Sequence, residues 1–171
     1  MTSLYDFRCN VYDAPMRKEL LLEKCSRHFE FLVSDYGFKA PKVQSDETEI
    51  QMIWLSPKTG LELMFDRMEN TAYVFLHQLQ NGRLIQDDPE DDESPLTYFS
   101  IEDIVELRAP EMDLSELGPV AELSGPQLDK NLELLTGILK SHCKDILQGN
   151  FHFFSTLEAV ERMRRQPDGS N

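Results

Sequence analysis

No stretch of this sequence approaches the roughly 20 apolar residues needed to cross a bilayer, so no membrane span is expected. The first residues, MTSLYDFRCNVYD, lack a basic run followed by an apolar one, and no signal peptide is expected. Cysteine is scarce. Cys9, Cys25 and Cys143 are an odd number at unrelated spacings, which argues against a disulfide framework and for reduced thiols in a cytoplasmic protein. There is no C-x-x-C, no H-E-x-x-H, no G-x-S-x-G and no glycine-rich phosphate loop, so the most recognisable zinc, hydrolase and nucleotide chemistries have no foothold. No internal repeat is present.

Basic residues are the most telling shortage. The net charge is −14, and it is not spread evenly. Residues 1–85 hold 12 acids and 10 bases, residues 134–171 hold 4 acids and 5 bases, and residues 86–133 hold 15 acids against only Arg108 and Lys130. Nearly all of the charge therefore belongs to 48 residues. A segregated acid excess produces a directional field that steers a basic partner. It also argues against nucleic acid as a ligand, because phosphate binding needs a basic stripe.

What is present is an ordinary globular composition, 40 % hydrophobic and 28 % charged, in 171 residues. That length suits a single domain over 1–171 with a core that needs no disulfide or metal. Leu22, Cys25, Phe29, Leu32 and Tyr36 recur at steps of three and four, predicting a helix over 15–36 that Gly37 ends and Phe38 folds back upon. The period then shortens to two. Ile50, Met52 and Trp54 mark one strand, and Leu61, Leu63 and Phe65 another, with SPKTG at 56–60 as the turn between them. Residues 72–79 are rich in strand formers, and Asn81-Gly82 signals a hairpin with a return strand over 83–85. These make an antiparallel meander of about four strands.

The acidic loop follows at 86–95, QDDPEDDESP. Beyond it, residues 96–100 suit a short strand or an aromatic tether, and Ser100 with Asp103 reads as the start of a short helix that stops before Pro110. Residues 110–125 read as loop with leucine anchors. Pro126 opens a second long helix whose seam is Leu128, Leu132, Leu135, Leu139, Cys143 and Ile146, with Gly149 at its end. Ser155 and Glu158 have the spacing of a capping box for a last helix, and residues 167–171 form a frayed tail. The fold class is α+β: a long N-terminal helix, the meander, and a helical C-terminal half packed on the sheet.

Several residues invite chemistry. Cys25 and His28 stand three apart on a helix, and His142 neighbours Cys143, but both thiols lie on apolar seams and adjacent helical residues cannot converge on one ion. No metal and no cofactor are expected. Burial blunts the thiols as nucleophiles. The acids of residues 87–93 lack the alternation and turn glycine of an EF-hand loop. Trp54, the sole tryptophan, reads as core. The remaining candidates face a partner: Asp87, Asp88, Glu90, Asp91, Asp92 and Glu93 as steering charges, with Tyr98 and Phe99 as flanking anchors. Met112, Leu114, Leu117 and Leu123, interleaved with acids, extend the same pattern.

The order of a helix ending in YGF, a meander, an acidic segment and a leucine-rich helix running into DILQGNF resembles small bacterial proteins of the immunity type or left uncharacterised. The likeness is in layout. The expectation is a non-enzymatic cytoplasmic protein that binds a basic partner, such as a toxin with nuclease activity. A nuclease must itself be basic to hold phosphate. One alternative is a homo-oligomeric structural or regulatory domain that the acids keep soluble. Another is an enzyme with an unrecognised carboxylate site.

Overall fold

A computed structural model describes residues 18–68, 71–85, 95–117 and 125–165. Five strands form one antiparallel sheet in sequence order: β1 Lys42–Ser45, β2 Glu49–Leu55, β3 Thr59–Asp66, β4 Thr71–Gln78 and β5 Tyr98–Ser100. Two helices precede it, α1 Lys18–His28 and α2 Glu30–Tyr36. Four follow: α3 Ile101–Arg108, α4 Gly125–His142, α5 Lys144–Leu147 and α6 Phe154–Arg165. This is the expected α+β arrangement, in which β2, β3 and β4 are three of the four strands of the expected meander, β5 is the short strand expected at 96–100, and β1 is not expected from the sequence. β1 lacks the apolar alternation that betrays a strand, because all four of its residues are exposed at the sheet edge.

Register explains the core. Ile50 lies opposite Phe65, Met52 opposite Leu63 and Trp54 opposite Leu61, so β2 and β3 bury the same face. Val74, Leu76 and Phe99 continue it across β4 and β5. The helices share one core cluster with that face, through Leu21, Cys25, Phe29 and Leu32 at one end and Leu128, Leu132, Leu135, Leu139, Cys143 and Ile146 at the other. Every position of the second leucine seam is buried, as its spacing requires. The buried Thr59 hydroxyl donates to the Ile146 carbonyl at 2.8 Å, pinning the β2–β3 turn to α5.

Local details depart from the sequence pattern in four places. The expected helix over 15–36 is two helices. The Leu32 amide donates to Phe29 O at 3.0 Å, a tightened turn that shifts the helical phase at Phe29. Adjacent Phe31 and Leu32 are both buried just after this turn. The leucine-rich helix likewise breaks at Cys143 before α5. Asn81 (φ 52°) and Gly82 (φ 72°) form the tight turn, but the hairpin is a single rung between Gln80 and Arg83 and residues 83–85 are not a strand. Leu79 and Leu84 instead fold over Gly60, where even a Cβ would meet both side chains at 3.2 Å. Ser155 is not a helix cap. It lies inside α6 with its hydroxyl donating to His152 O, while Glu158 pairs with Arg162.

Other signals are met. Gly37 adopts φ 71°, and the Phe38 amide reaches back to Leu32 O at 3.0 Å. The Ser100 hydroxyl accepts from the Asp103 amide at 3.1 Å while the Ser100 amide donates to the Asp103 carboxylate, so aspartate completes a reciprocal cap usually built with glutamate. Gly149 has φ 81° at the end of the leucine-rich region. The tail at 167–171 lies outside the described residues.

Candidate functional site

A β-strand alternates its side chains, so the sheet has a second face. Gln51 and Ile53 of β2, Glu62 and Met64 of β3, Tyr73, Phe75 and His77 of β4, and Tyr98 of β5 share it by register. None of them belongs to the core cluster that the helices complete. The aromatic rings make a continuous strip. Tyr73 and Phe75 stack with centroids 6.3 Å apart, Phe75 meets Tyr98 edge-on at 5.9 Å, and Tyr98 stacks on His77 at 5.3 Å. Tyr98 is 42 % exposed.

Glu62 sits in the middle of the strip, directly opposite Phe75 in register. Its two oxygens are held separately. Oε1 accepts from Gln51 Nε2 at 2.5 Å, and Oε2 accepts from His77 Nε2 at 2.9 Å. The His77 hydrogen bond, more than offsetting partial burial, holds the Glu62 carboxyl below the usual carboxylate range. An ionised carboxylate oxygen retains a further lone pair after each of these bonds. Glu62 is thus a negative charge fixed among aromatic rings, its side chain 14 % exposed and that of His77 11 %.

The expected steering acids Asp87, Asp88, Glu90, Asp91, Asp92 and Glu93 lie outside the described residues, as does Cys9. In the sequence they fall between Ile85 and Pro95, and Pro95 stands three residues before Tyr98. The expected aromatic pair divides. Tyr98 is presented on the outer face, whereas Phe99 is buried and packs edge-on against Phe154 at 4.9 Å. Alternation alone sends neighbouring strand residues to opposite faces, so only Tyr98 offers its ring to a partner.

The acids further along are partly spent inside the fold. Asp103 and Glu106 meet Arg164, with Glu106 Oε1 at 2.8 Å. Asp129 gathers Lys24, Arg27 and His28 and so bonds α4 to α1. Those contacts, the Lys24 hydrogen bond first, pull its carboxyl down to about 2. Asp145 receives both guanidinium arms of Arg108, whose charge also lies 4.0 Å from the Phe153 ring centre. Met112 and Leu114, expected as anchors among acids, pack against the core instead. Of 31 acids and 17 bases in the chain, 20 and 15 fall among the described residues, so most of the net charge lies elsewhere in the chain.

Cys25 and Cys143 are fully buried, and desolvation pushes both thiols up to about 12. His28 points to Asp129 rather than to Cys25's seam. Among the described residues no cluster of three or more His, Cys, Asp or Glu is placed to hold a metal ion, and no helix is long and apolar enough to cross a membrane. A shallow groove near the start of α6 is lined by Gln78, Asn150, Phe151, His152 and Ser155, of which all but Phe151 are exposed.

The chain matches no protein-family model, no curated protein and no solved structure. Sequence reasoning missed Glu62, His77 and Gln51. The signal was weak but present, since Glu62 and His77 are polar residues at alternating positions of otherwise apolar strands.

Proposed function

We propose that this chain is a non-enzymatic acidic binding protein for a basic protein partner, acting in the manner of an immunity-type inhibitor of a basic toxin. The observation that carries the reading is the separation of charge. Fifteen acids against two bases fall within residues 86–133, while the remainder is nearly neutral. Internal ion pairs absorb Asp103, Glu106 and Asp129, and the run at residues 87–93 is the densest group of acids in the sequence. Such a run accelerates encounter with a basic surface and repels acidic competitors. A nuclease toxin is basic where it holds its substrate, so an acidic inhibitor gains on-rate and occupies the same surface.

The test uses a basic protein isolated by pull-down with this chain as bait and then purified. Binding is followed by biolayer interferometry with and without the replacements Asp87→Asn, Asp88→Asn, Asp91→Asn and Asp92→Asn made together. The quadruple variant should keep the wild-type melting curve and lose on-rate at low salt, with the difference fading as salt approaches 1 M, where the Debye length is about 3 Å. An unchanged on-rate at low salt would remove the acidic run from the function.

A further inference from the structure

We infer that the outer edge of β1 pairs antiparallel with the same edge of a second copy of this chain, so that two sheets become one. This goes beyond the acidic-binder reading and does not depend on it. β1 is bonded to β2 on one side, and among the described residues no strand lies on its other side. All four of its residues, Lys42, Val43, Gln44 and Ser45, are exposed. Val43 stands opposite the core residue Met52, yet it is 42 % exposed. The hairpin fixes where the backbone groups point. The Asp46 amide donates to Glu49 O at 3.1 Å, so Asp46 turns its backbone toward β2. Strand backbones alternate, so Gln44 and Lys42 do the same, while the N–H and C=O groups of Val43 and Ser45 point out of the sheet. An edge of this kind is a template for another strand.

The edge is complementary to itself. A two-fold axis through Gln44 sets Val43 against the second copy's Ser45, and Ser45 against its Val43, so that every outward N–H and C=O of both residues is bonded. The same register sets Lys42 against the second copy's Asp46, once on each side of the axis. Lysine on an edge strand ordinarily blocks pairing, but here it meets an acid rather than another lysine. The three hydrogen bonds that the Asp46 carboxylate accepts, from the Thr48 and Glu49 amides and the Thr48 hydroxyl, all fall on Oδ1, which leaves Oδ2 for Lys42. The surroundings are balanced, since Lys39, Lys42 and Arg67 answer Asp46, Glu47 and Glu49. The opposite edge of the sheet offers no such strip, because β5 is three residues long and runs straight into α3. A four-residue strand buries little area, and the net charge of −14 on each copy opposes approach. The dimer is therefore weak and forms at high protein concentration.

The experiment is sedimentation equilibrium of the full chain from about 10 μM to about 1 mM, the weak end of the affinity scale. Salt is held at about 0.15 M, where the Debye length of about 8 Å screens charges remote from the contact. The mean mass should rise from 19.8 kDa toward twice that value. Amide exchange at Val43 and Ser45, followed by NMR over the same range, should be fast in the dilute sample and slow down as the dimer fills. Val43→Pro removes an N–H that no β1–β2 bond uses, and the loss of that bond in both copies should weaken the dimer about tenfold or more. Lys42→Glu sets like charges against each other on both sides of the axis and should weaken it by about twofold to thirtyfold; it serves if Val43→Pro disturbs the fold. A chain that stays monomeric at the highest concentration would overturn the inference. Val43 and Ser45 amides already protected in the dilute monomer would assign the edge to another segment of this chain and overturn it as well. So would a dimer that folded Val43→Pro and Lys42→Glu leave undiminished, since another surface would then hold it.

Discussion

Phe29 is the residue on which the N-terminal helices and the sheet depend together. It is fully buried, its ring stacks on Trp54 with centroids 5.1 Å apart and planes 26° apart, and Phe31 lies 6.4 Å away. Phe29→Ala removes a six-carbon ring from that contact. Its neighbours belong to a helix on one side and a strand on the other, so the space is hard to refill by collapse. Truncations of this kind cost about 3–5 kcal/mol, and the lost ring stacking places this one in the upper half of that range. With a urea slope of about 2 kcal/mol per molar, a loss of about 4 kcal/mol moves the midpoint down by about 2 M at unchanged slope. Trp54 is the only tryptophan, so its emission reports the melt from the site of the change. Phe29→Leu, which keeps most of the volume, should cost about 1.5 kcal/mol. A loss under about 1 kcal/mol for Phe29→Ala would show that the face carrying Phe29 is not in the core and that the helix break at this residue has another cause.

Cys25 and Cys143 should react slowly with a thiol reagent in the native protein and at full rate in urea, since burial holds both as thiols; rapid native labelling of either would contradict the core described above. Asp129→Asn should lower stability at neutral pH, because the carboxylate binds Lys24, Arg27 and His28. The Asp129 carboxyl is depressed to about 2 from an ordinary value near 3.8, so its contribution is present above about pH 4 and is lost as pH falls through 2. Melts of wild type and variant should therefore converge below about pH 2, and a gap that widens on acidification would refute the assignment.

The periodicities of three and four and of two were enough to locate the helices and most of the strands, because amphipathic elements must turn their apolar side inward wherever they sit. Leu132, Leu135, Leu139 and Cys143 are buried because their spacing leaves them no other face. Gly37, Asn81 and Gly82 announced their turns because positive φ is a local property of the residue. Local signals failed where the outcome depended on a distant neighbour. Phe29 breaks its helix where its ring stacks on Trp54, and Leu84 leaves the expected strand to cover Gly60.

The separation of acidic and basic residues along the chain, the apolar seams and the α+β class belong to the amino-acid sequence alone. Each follows from residue identity and spacing. The tertiary structure decided which of those residues meet. Gln51, Glu62, His77 and Tyr98 come from four strands, and only the register of the sheet sets them side by side on one face. The same pairing sent Phe99 inward beside an outward Tyr98 and consumed Asp129 in an ion cluster with a helix a hundred residues away. Charge and hydrophobicity are properties of single residues, and they survive in a linear reading. A site is a set of distances between side chains remote in sequence, and those distances exist only once the strands have paired.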